Sequence, residues 1–413
     1  MRAENPGILK WFYPGIGIKR WIGLSTFGVL LLILGTANLR SEEFWVIQVL
    51  DAIVVISGII ILILGIKRMM RSFIAVFVPA SKDSGLVDLL YQKKQLSRGP
   101  RIAAVGGGTG LSVLLSGLKE HSSNISAVVT VADNGGSSGK LRQQFDVLPP
   151  GDIRNCLVAL ADAPALMRDL FQFRFDKNSE FSGHSFGNLF ITVMTRLTGD
   201  FEKAIKETSK VLALRGQVIP STLDNVNLVA FYKDGSSVIG EDKIPKALKQ
   251  INKVALVPEH SLATPDALKA LREAQIIILG PGSLYTSIIP NLLVRDIASA
   301  IAASQAIKVY VCNVMTQPGE TDSLSVADHI SAIVNHSCAR ILDYCIVNTG
   351  EVPQDIMARY AKQNSYRVVC DRKKIEQMGY RVIEEDFVSI QDGVIRHDPA
   401  MLSRIIMGFI EEI

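Results

Sequence analysis

The chain reads as an α/β protein: a Rossmann-like, mainly parallel sheet with helices on both faces, preceded by an N-terminal two-helix transmembrane hairpin. Three observations predict this. From Arg101 onward, short apolar runs alternate with helix-like segments, a pattern that favours a parallel sheet covered on both faces. Glycine-rich turns close several of the apolar runs. Two much longer apolar stretches occupy the N-terminal part.

A chain of 413 residues exceeds most single cores, so at least two structural units are expected. Apolar residues make up 48% and charged residues only 20%, and the apolar excess is concentrated near the N-terminus. No charge lies between Arg20 and Arg40, and Asp51 is the only charge between Glu43 and Lys67. A bilayer core of roughly 30 Å takes about 20 apolar residues as helix. Spans are therefore read at residues 21–39 and 44–66. A cleaved signal peptide ending near Gly35-Thr36-Ala37 is the rival, but the first run is long and a second span follows at once.

Lys10, Lys19 and Arg20 precede the first span, and Lys67, Arg68 and Arg71 follow the second. The connection from Arg40 to Glu43 has one basic residue. The positive-inside rule then predicts a multi-pass protein of the cytoplasmic membrane with both termini and the large domain in the cytoplasm. Asp51 either faces the partner helix or sits near the interface. The reading gives a membrane anchor over residues 1–70, a juxtamembrane connector over 71–100 and a nucleotide-binding domain over 101–413. Within the connector, Ser72 to Val78 could lie in the interface and Leu86 to Tyr91 starts a short helix.

Five scattered cysteines without C-x-x-C spacing suit buried thiols in a reducing compartment. No histidine and cysteine grouping suggests a metal site, and a net charge of +4 is too small to suggest nucleic acid. A homo-oligomer is expected.

In the large domain the first strand, Arg101 to Val105, leads through Gly106-Gly107-Gly108-Thr109-Gly110 into a helix from Leu111 to Leu118. The second, Ile125 to Val131, leads into Asp133-Asn134-Gly135-Gly136-Ser137-Ser138-Gly139. Asp152 to Leu160 reads as a helix with Asp152 as its N-cap. Leu189 to Leu197 and Phe201 to Leu214 read as further helices. Asp234-Gly235 marks a hairpin between Val226–Tyr232 and Ser237–Gly240. Val254–Val257, Gln275–Leu279 and Lys308–Val311 return as buried strands with a helix between each pair.

The glycine turns carry the chemistry. Backbone without a Cβ approaches a phosphate closely, and free N–H groups at a helix start attract anions. Gly106 and Gly108 match two positions of G-x-G-x-x-G, but Leu111 stands at the third, so the letters alone are weak. Asp133 stands where a dinucleotide enzyme places its ribose-binding acid. Asp133 to Gly139 holds more glycine and serine than a plain turn needs. It serves as an anion-binding turn, with Lys140 and Arg142 beside it, or as a mobile lid. Arg154 reaches a phosphate or forms a surface ion pair, and Asn155 lies next to it. Gly183-His184-Ser185-Phe186-Gly187 spells the hydrolase elbow, yet its preceding residues are polar rather than a buried strand. A turn presenting His184, Ser185 and Asn188 fits better. The third turn, Gly280-Pro281-Gly282-Ser283, continues into Tyr285, Thr286 and Ser287. Ser283 and Thr286 suit phosphate oxygens, and Tyr285 either stacks on a base or packs below the turn. Asn313 to Asp322 completes the same sheet edge, while His329 and His336 read as surface or packing residues.

Together these strings resemble the YvcK/CofD-like family, often labelled gluconeogenesis factor or nucleotide-sugar-binding protein. The resemblance rests on six ordered motifs: those at 107–110, 133–139, 149–155, 183–188, 280–287 and 313–322. It implies a Rossmann-like fold from about Arg101 to the C-terminus. It also implies a regulatory protein that binds UDP-N-acetylglucosamine and links central carbon metabolism to cell-wall synthesis and cell shape. Cell-wall or regulatory proteins are the partners this implies. The family's transferase branch joins 2-phospholactate to a deazaflavin from a guanylyl donor with a divalent metal, and its second strand ends in paired aspartates. Here the pair is Asp133-Asn134, and one lost carboxylate weakens affinity for a hard cation. The resemblance therefore favours the binding branch. The membrane hairpin marks a tethered version of the soluble members.

Overall fold

The computed structural model describes residues 18–38, 45–77 and 86–411, apart from Lys177, Ala339 and Asp392. The basic Lys10 and the connection from Arg40 to Glu43 lie outside the described residues. The chain divides into two compact units, Met1–Leu90 and Tyr91–Ile413.

The first unit contains two helices, Ile18–Asn38 and Trp45–Phe77. Both contain stretches long and apolar enough to cross a membrane, Arg20–Ala37 and Trp45–Met70, with mean hydropathies of 1.6 and 2.9. The second helix runs past the expected end at residue 66, because no proline or glycine interrupts residues 66–77. The stretch read as an interfacial segment is thus helical as far as Phe77. Glycines repeating at seven residues, Gly28 and Gly35 on one helix and Gly58 and Gly65 on the other, let the backbones meet. A Cβ at Gly58 would stand 2.9 Å from the Gly28 carbonyl oxygen, and one at Gly65 would stand 2.5 Å from Ser25 Oγ. Asp51 precedes Gly58 by the same interval and is buried between the helices, facing the partner helix.

The second unit is built on a parallel sheet. Its strands are β1 (Ile102–Gly106), β2 (Ile125–Val129), β3 (Gln217–Pro220), β7 (Ile276–Leu279), β8 (Ile307–Val311), β9 (Tyr344–Asn348) and β10 (Arg381–Glu385). Their order across the sheet is β10-β9-β8-β7-β1-β2-β3, and every pairing is parallel. All residues of β1 and β7 are buried, as expected where helices cover both faces. The chain first builds outward from β1 through β2 to β3, then returns to the other side of β1 at β7. Loops leaving β1 and β7 therefore diverge, which opens a crevice at their C-terminal ends.

The expectation that Val254–Val257 belongs to this sheet is corrected. It lies in β6 (Ile251–Val257), which pairs antiparallel with β4 (Asn227–Tyr232), itself paired with β5 (Ser237–Ile239). Its burial alternates from Lys253 to Val257 with Val254 and Leu256 inward, the pattern of a strand with one solvated face, and Ile251 falls out of step at the irregular pairing opposite Phe231 and Tyr232. The Asp234-Gly235 turn joins β4 and β5 as read. Strands β3, β9 and β10 and a hairpin of β11 (Val388–Gln391) and β12 (Val394–His397) were not anticipated. A final helix, Pro399–Glu411, packs on the helix after β1.

Candidate functional site

Three turns at the C-terminal sheet edge form the crevice. After β1, Gly108 takes φ +65° and opens the helix Gly108–Leu118. After β7, Gly280 takes φ +79°, and the chain makes a π-turn over Leu284–Ile288. The turns touch: a Cβ at Gly110 would stand 2.6 Å from the Pro281 carbonyl oxygen. Asn291 ties them from below, donating to the carbonyls of Gly106 and Ser287 at 3.0 and 2.7 Å. The turn after β8 closes the other wall. Asn313 donates to the Gly282 carbonyl at 2.8 Å and Gln317 to Ser283 Oγ at 2.8 Å. Between them lies a cavity of about 500 Å³, lined by Gly107–Gly110, Gly282, Ser283, Ser287, the turn after β8, Tyr360, Arg396 and His397.

On the β2 side of Gly107 lies a second group of polar side chains. The residues Gly136 to Gly139 are the first turn of the helix Gly136–Phe145. Asp133 Oδ1 accepts from the Gly135 N–H at 2.8 Å. Asp152 is not the helix cap: the helix is Gly151–Leu160, with Pro150 at the cap position. Its carboxylate instead reaches back to the Gly108 N–H, and a Cβ at Gly107 would stand 2.5 Å from Asp152 Oδ2. Gly107 is thus required by the approach of this acid to the phosphate-type turn. Arg154 is buried and forms no surface ion pair. It donates to Ser185 Oγ, to Asn188 Oδ1 at 3.1 Å and to Asn155 Oδ1 at 2.6 Å, leaving its Nε unpartnered. Ser137 Oγ meets His184 Nδ1 at 3.0 Å and accepts from Asn188 at 3.1 Å. Ser185 caps the helix Phe186–Thr198, so its hydroxyl is committed to structure rather than poised as a nucleophile.

Burial sets the electrostatics here. Burial, reinforced by Asp133, raises the Asp152 pKa to about 7. Burial also raises Asp133, against the Gly135 N–H and Ser138 that stabilise its anion. Glu241, just beyond β5, is raised to about 8 by burial and by the charges of Asp133 and Asp152. Glu320 is raised to about 7 by burial, although it accepts the Tyr285 and Thr286 N–H groups at 2.8 and 3.1 Å. Arg154 is lowered to about 10 by burial and by Arg174.

The structure therefore brings most of the expected residues to one edge, in two adjoining groups. Gly107, Gly108, Thr109, Gly110, Gly282 and Ser283 line the cavity. Asp133, Ser137, Asp152, Arg154, Asn155, Ser185 and Asn188 form the polar group, and Ser138 hydrogen-bonds Asp133. Of the two readings of Tyr285, the structure shows the packed one: it is buried with its ring edge-on to His336 at 5.9 Å. Three sites differ from expectation. Thr286 directs its hydroxyl to Glu320. The Asn134 side chain meets Asn227 at 3.0 Å. Arg142 donates to the Val226 carbonyl at 2.6 Å and braces the helix it belongs to. Sequence reasoning missed Glu241, which a long-range fold brings in. It also missed Glu320 and Asn291, although Glu320 lies within the 313–322 string that the sequence already marked.

A doubly wound parallel sheet with glycine turns at its switch point and a buried arginine beside them places the chain among the α/β proteins whose ligand crevice opens at the C-terminal sheet edge. Residues 102–388 match the family described as 2-phospho-L-lactate transferase CofD. The chain is 47% identical over 419 residues to a putative gluconeogenesis factor of Nostoc sp., covering 96% of this chain and 91% of that one. It is 46% identical to the gluconeogenesis factor of Bacillus subtilis over 76% of this chain and 99% of that one. The crystal structure of protein BH3568 from Bacillus halodurans, 47% identical, superposes with a TM-score of 0.73 over 75% of this chain and all of that one. The chain belongs to the CofD/YvcK family, among its gluconeogenesis factor homologues.

Proposed function

We propose that the domain binds a nucleotide sugar, UDP-N-acetylglucosamine by preference, and acts as a regulator linking central carbon metabolism to cell-wall synthesis and cell shape. One observation carries the reading: the 500 Å³ cavity is walled by the backbone of two glycine turns at the sheet's switch point. Its volume falls within the range of roughly 300–1,000 Å³ usual for small-molecule sites. The N–H groups opening the helix Gly108–Leu118, the first of them taken by Asp152, supply the anion-attracting wall, and the buried Arg154 guanidinium beside Asp152 is the nearby cation. The relatives named gluconeogenesis factor support the metabolic role. The two apolar helices support a tether to the cytoplasmic membrane, with both termini and the binding domain on its inner side. Proteins of cell-wall synthesis are then the downstream partners.

A transferase reading draws on the matched family's name and on Asp133, Asp152 and Glu241, which lie near enough to raise one another's pKa. Among the described residues no three His, Cys, Asp or Glu side chains are arranged to hold the divalent metal such chemistry takes. We derive no transfer step through it. Calorimetric titration of a fragment starting at Tyr91 with UDP-N-acetylglucosamine, UDP and NAD tests the proposal. Saturable binding of the nucleotide sugar, with NAD much weaker, is expected. Preference for NAD, or no binding, overturns it.

A further inference from the structure

The opposite edge of the sheet holds a second cleft, of about 600 Å³. It opens at the first residues of three strands: Ile102 of β1, Ile125 of β2 and Gln217 of β3. The crevice described above lies at the other ends of the strands, and the two share no lining residue. A strand the length of β1 puts about 16 Å between them.

The helix Leu86–Ser97 supplies one wall through Lys93. Its C-terminal end is fastened to the strand edge. Leu96 is buried, its carbonyl accepts the Ser123 N–H at 3.0 Å, and Asn124 donates to the Ser97 and Gly99 carbonyls at 3.0 and 2.7 Å. Lys93, about one turn before Ser97, is thereby held at the cleft. Arg101 stands at the entry to β1, with its Nε donating to the Glu273 carbonyl at 2.6 Å. Lys269 lines the cleft from the helix Pro265–Glu273.

Against these three cations the lining holds two acids, Asp266 and Glu273. Lys206, outside the lining, already takes Asp266 at 2.9 Å. Lys93, Arg101 and Lys269 are in no salt bridge among the described residues. The cleft therefore keeps uncompensated positive charge. The sequence adds an independent observation. Residues 91–101 contain Lys93, Lys94, Arg98 and Arg101 and no acid, and they follow the apolar helix Trp45–Phe77 closely. A basic cluster just cytoplasmic of a span is drawn to the phosphates of an anionic bilayer.

We propose that this cleft binds a phosphate group, carried by the headgroup of an anionic membrane lipid. Lys93, Arg101 and Lys269, from three separate elements, hold the phosphate, while the exposed Lys94 and Arg98 add general attraction. With this strand edge on the lipid, the crevice opens away from the bilayer, where soluble ligands and proteins arrive. The inference rests on the membrane tether of the proposed function and not on what the crevice binds.

The test uses the part from Leu86 to Ile413, which keeps the helix Leu86–Ser97 whole. All of the BH3568 crystal structure aligns with 75% of this chain, so the fold forms without the N-terminal apolar helices. This part is expected to sediment with vesicles of phosphatidylcholine containing about 30% phosphatidylglycerol, and not with phosphatidylcholine alone. Lys93→Gln combined with Lys269→Gln is expected to weaken binding by about tenfold or more, with the melting temperature unchanged because both side chains are exposed. Lys233→Gln combined with Lys373→Gln removes the same charge outside the cleft and is expected to leave binding within about twofold. Equal weakening by the two pairs overturns the proposal, since net charge alone would then act. So does binding that survives the loss of Lys93 and Lys269. Calorimetric titration with glycerol 3-phosphate separates the sources. Binding of it that needs the two lysines, without vesicle binding, supports the phosphate site and overturns the lipid as its source. No binding to either overturns both. Fractionation of the full chain reads the tether by itself: a full chain found outside the membrane overturns that reading, whatever the vesicles show.

Discussion

Replacing Asp152 by asparagine should stabilise the ligand-free domain at high pH. Asp152 has its pKa raised from 3.8 to about 7, chiefly by burial and next by Asp133. The folded state therefore holds a proton that the unfolded chain has released. Between pH 3.8 and about 7 the native form binds more protons, so stability falls as pH rises through that window. Below it both states are protonated and the effect vanishes. A shift of about 3 units corresponds to about 4 kcal/mol at 1.36 kcal/mol per unit. Part of the residue is reached by water, and Arg154 favours the charged form, so about 2 kcal/mol is the working expectation after screening. Asparagine retains an oxygen for the Gly108 N–H and removes the charge. Urea unfolding of the Tyr91–Ile413 part at pH 8.5 and pH 5.5 reads the effect. The variant should gain about 2 kcal/mol at the higher pH and about half of that at the lower, which lies midway through the window. A variant that loses stability equally at both values would refute the reasoning, since Asp152 would then act as a favourable anion paired with Arg154.

Gly110→Ala should lower nucleotide-sugar affinity by about tenfold or more, because its methyl meets the Pro281 carbonyl oxygen at 2.6 Å and parts the two turns; calorimetry giving parental affinity would count against it. Arg154→Ala should cost about 2–4 kcal/mol, read by urea unfolding, since it strands Ser185, Asn188 and Asn155. An unchanged midpoint would contradict that network. Gly117→Ala should destabilise by about 1–3 kcal/mol, because the added carbon overlaps the Pro399 carbonyl oxygen beneath the C-terminal helix, and a parental melting temperature would argue otherwise. The Glu241 pKa of about 8 against an ordinary 4.5 predicts that Glu241→Gln flattens the pH dependence of stability between those values; a slope as steep as the parent's in that window would exclude it.

What the sequence disclosed follows from which interactions are local. The runs ending in Val105 and Leu279 were legible because an unbroken apolar stretch closed by glycine admits few other readings, and the run ending in Val131 because a β-branched stretch leads into a glycine-serine turn. Val254–Val257 was misplaced because periodicity identifies a strand without naming its partner, and pairing with β4 depends on a distant hairpin. Strand β9 carries the same short apolar signal in Tyr344-Cys345-Ile346-Val347 and passed unread. In the site, the turns were legible because glycine at a positive φ is a local demand. The direction of a side chain is not local. Asp152 looks like a cap in the sequence and instead serves the neighbouring turn, while for Tyr285 the sequence leaves base stacking and packing both open and the ring packs on His336. Glu241 carried no signal at all, because it reaches the crevice only through the placement of the small antiparallel sheet.

Four carboxylates around a site suited to anions look like a contradiction, and the structure resolves it. Asp152 and Glu320 are raised to about 7, Glu241 to about 8, and Asp133 upward as well, each first by burial. Near neutral pH the crevice is therefore far less negative than its residue count implies. A raised carboxylic acid donates as well as accepts hydrogen bonds, which suits hydroxyl-bearing ligands. The anion-attracting part is made of backbone: the N–H groups opening the helix Gly108–Leu118, which do not titrate in this range. Asp152 joins the two parts by taking the Gly108 N–H. An incoming phosphate competes with it for that helix terminus. Its negative charge also raises the neighbouring acids further, so anion binding and proton uptake at this edge are thermodynamically linked.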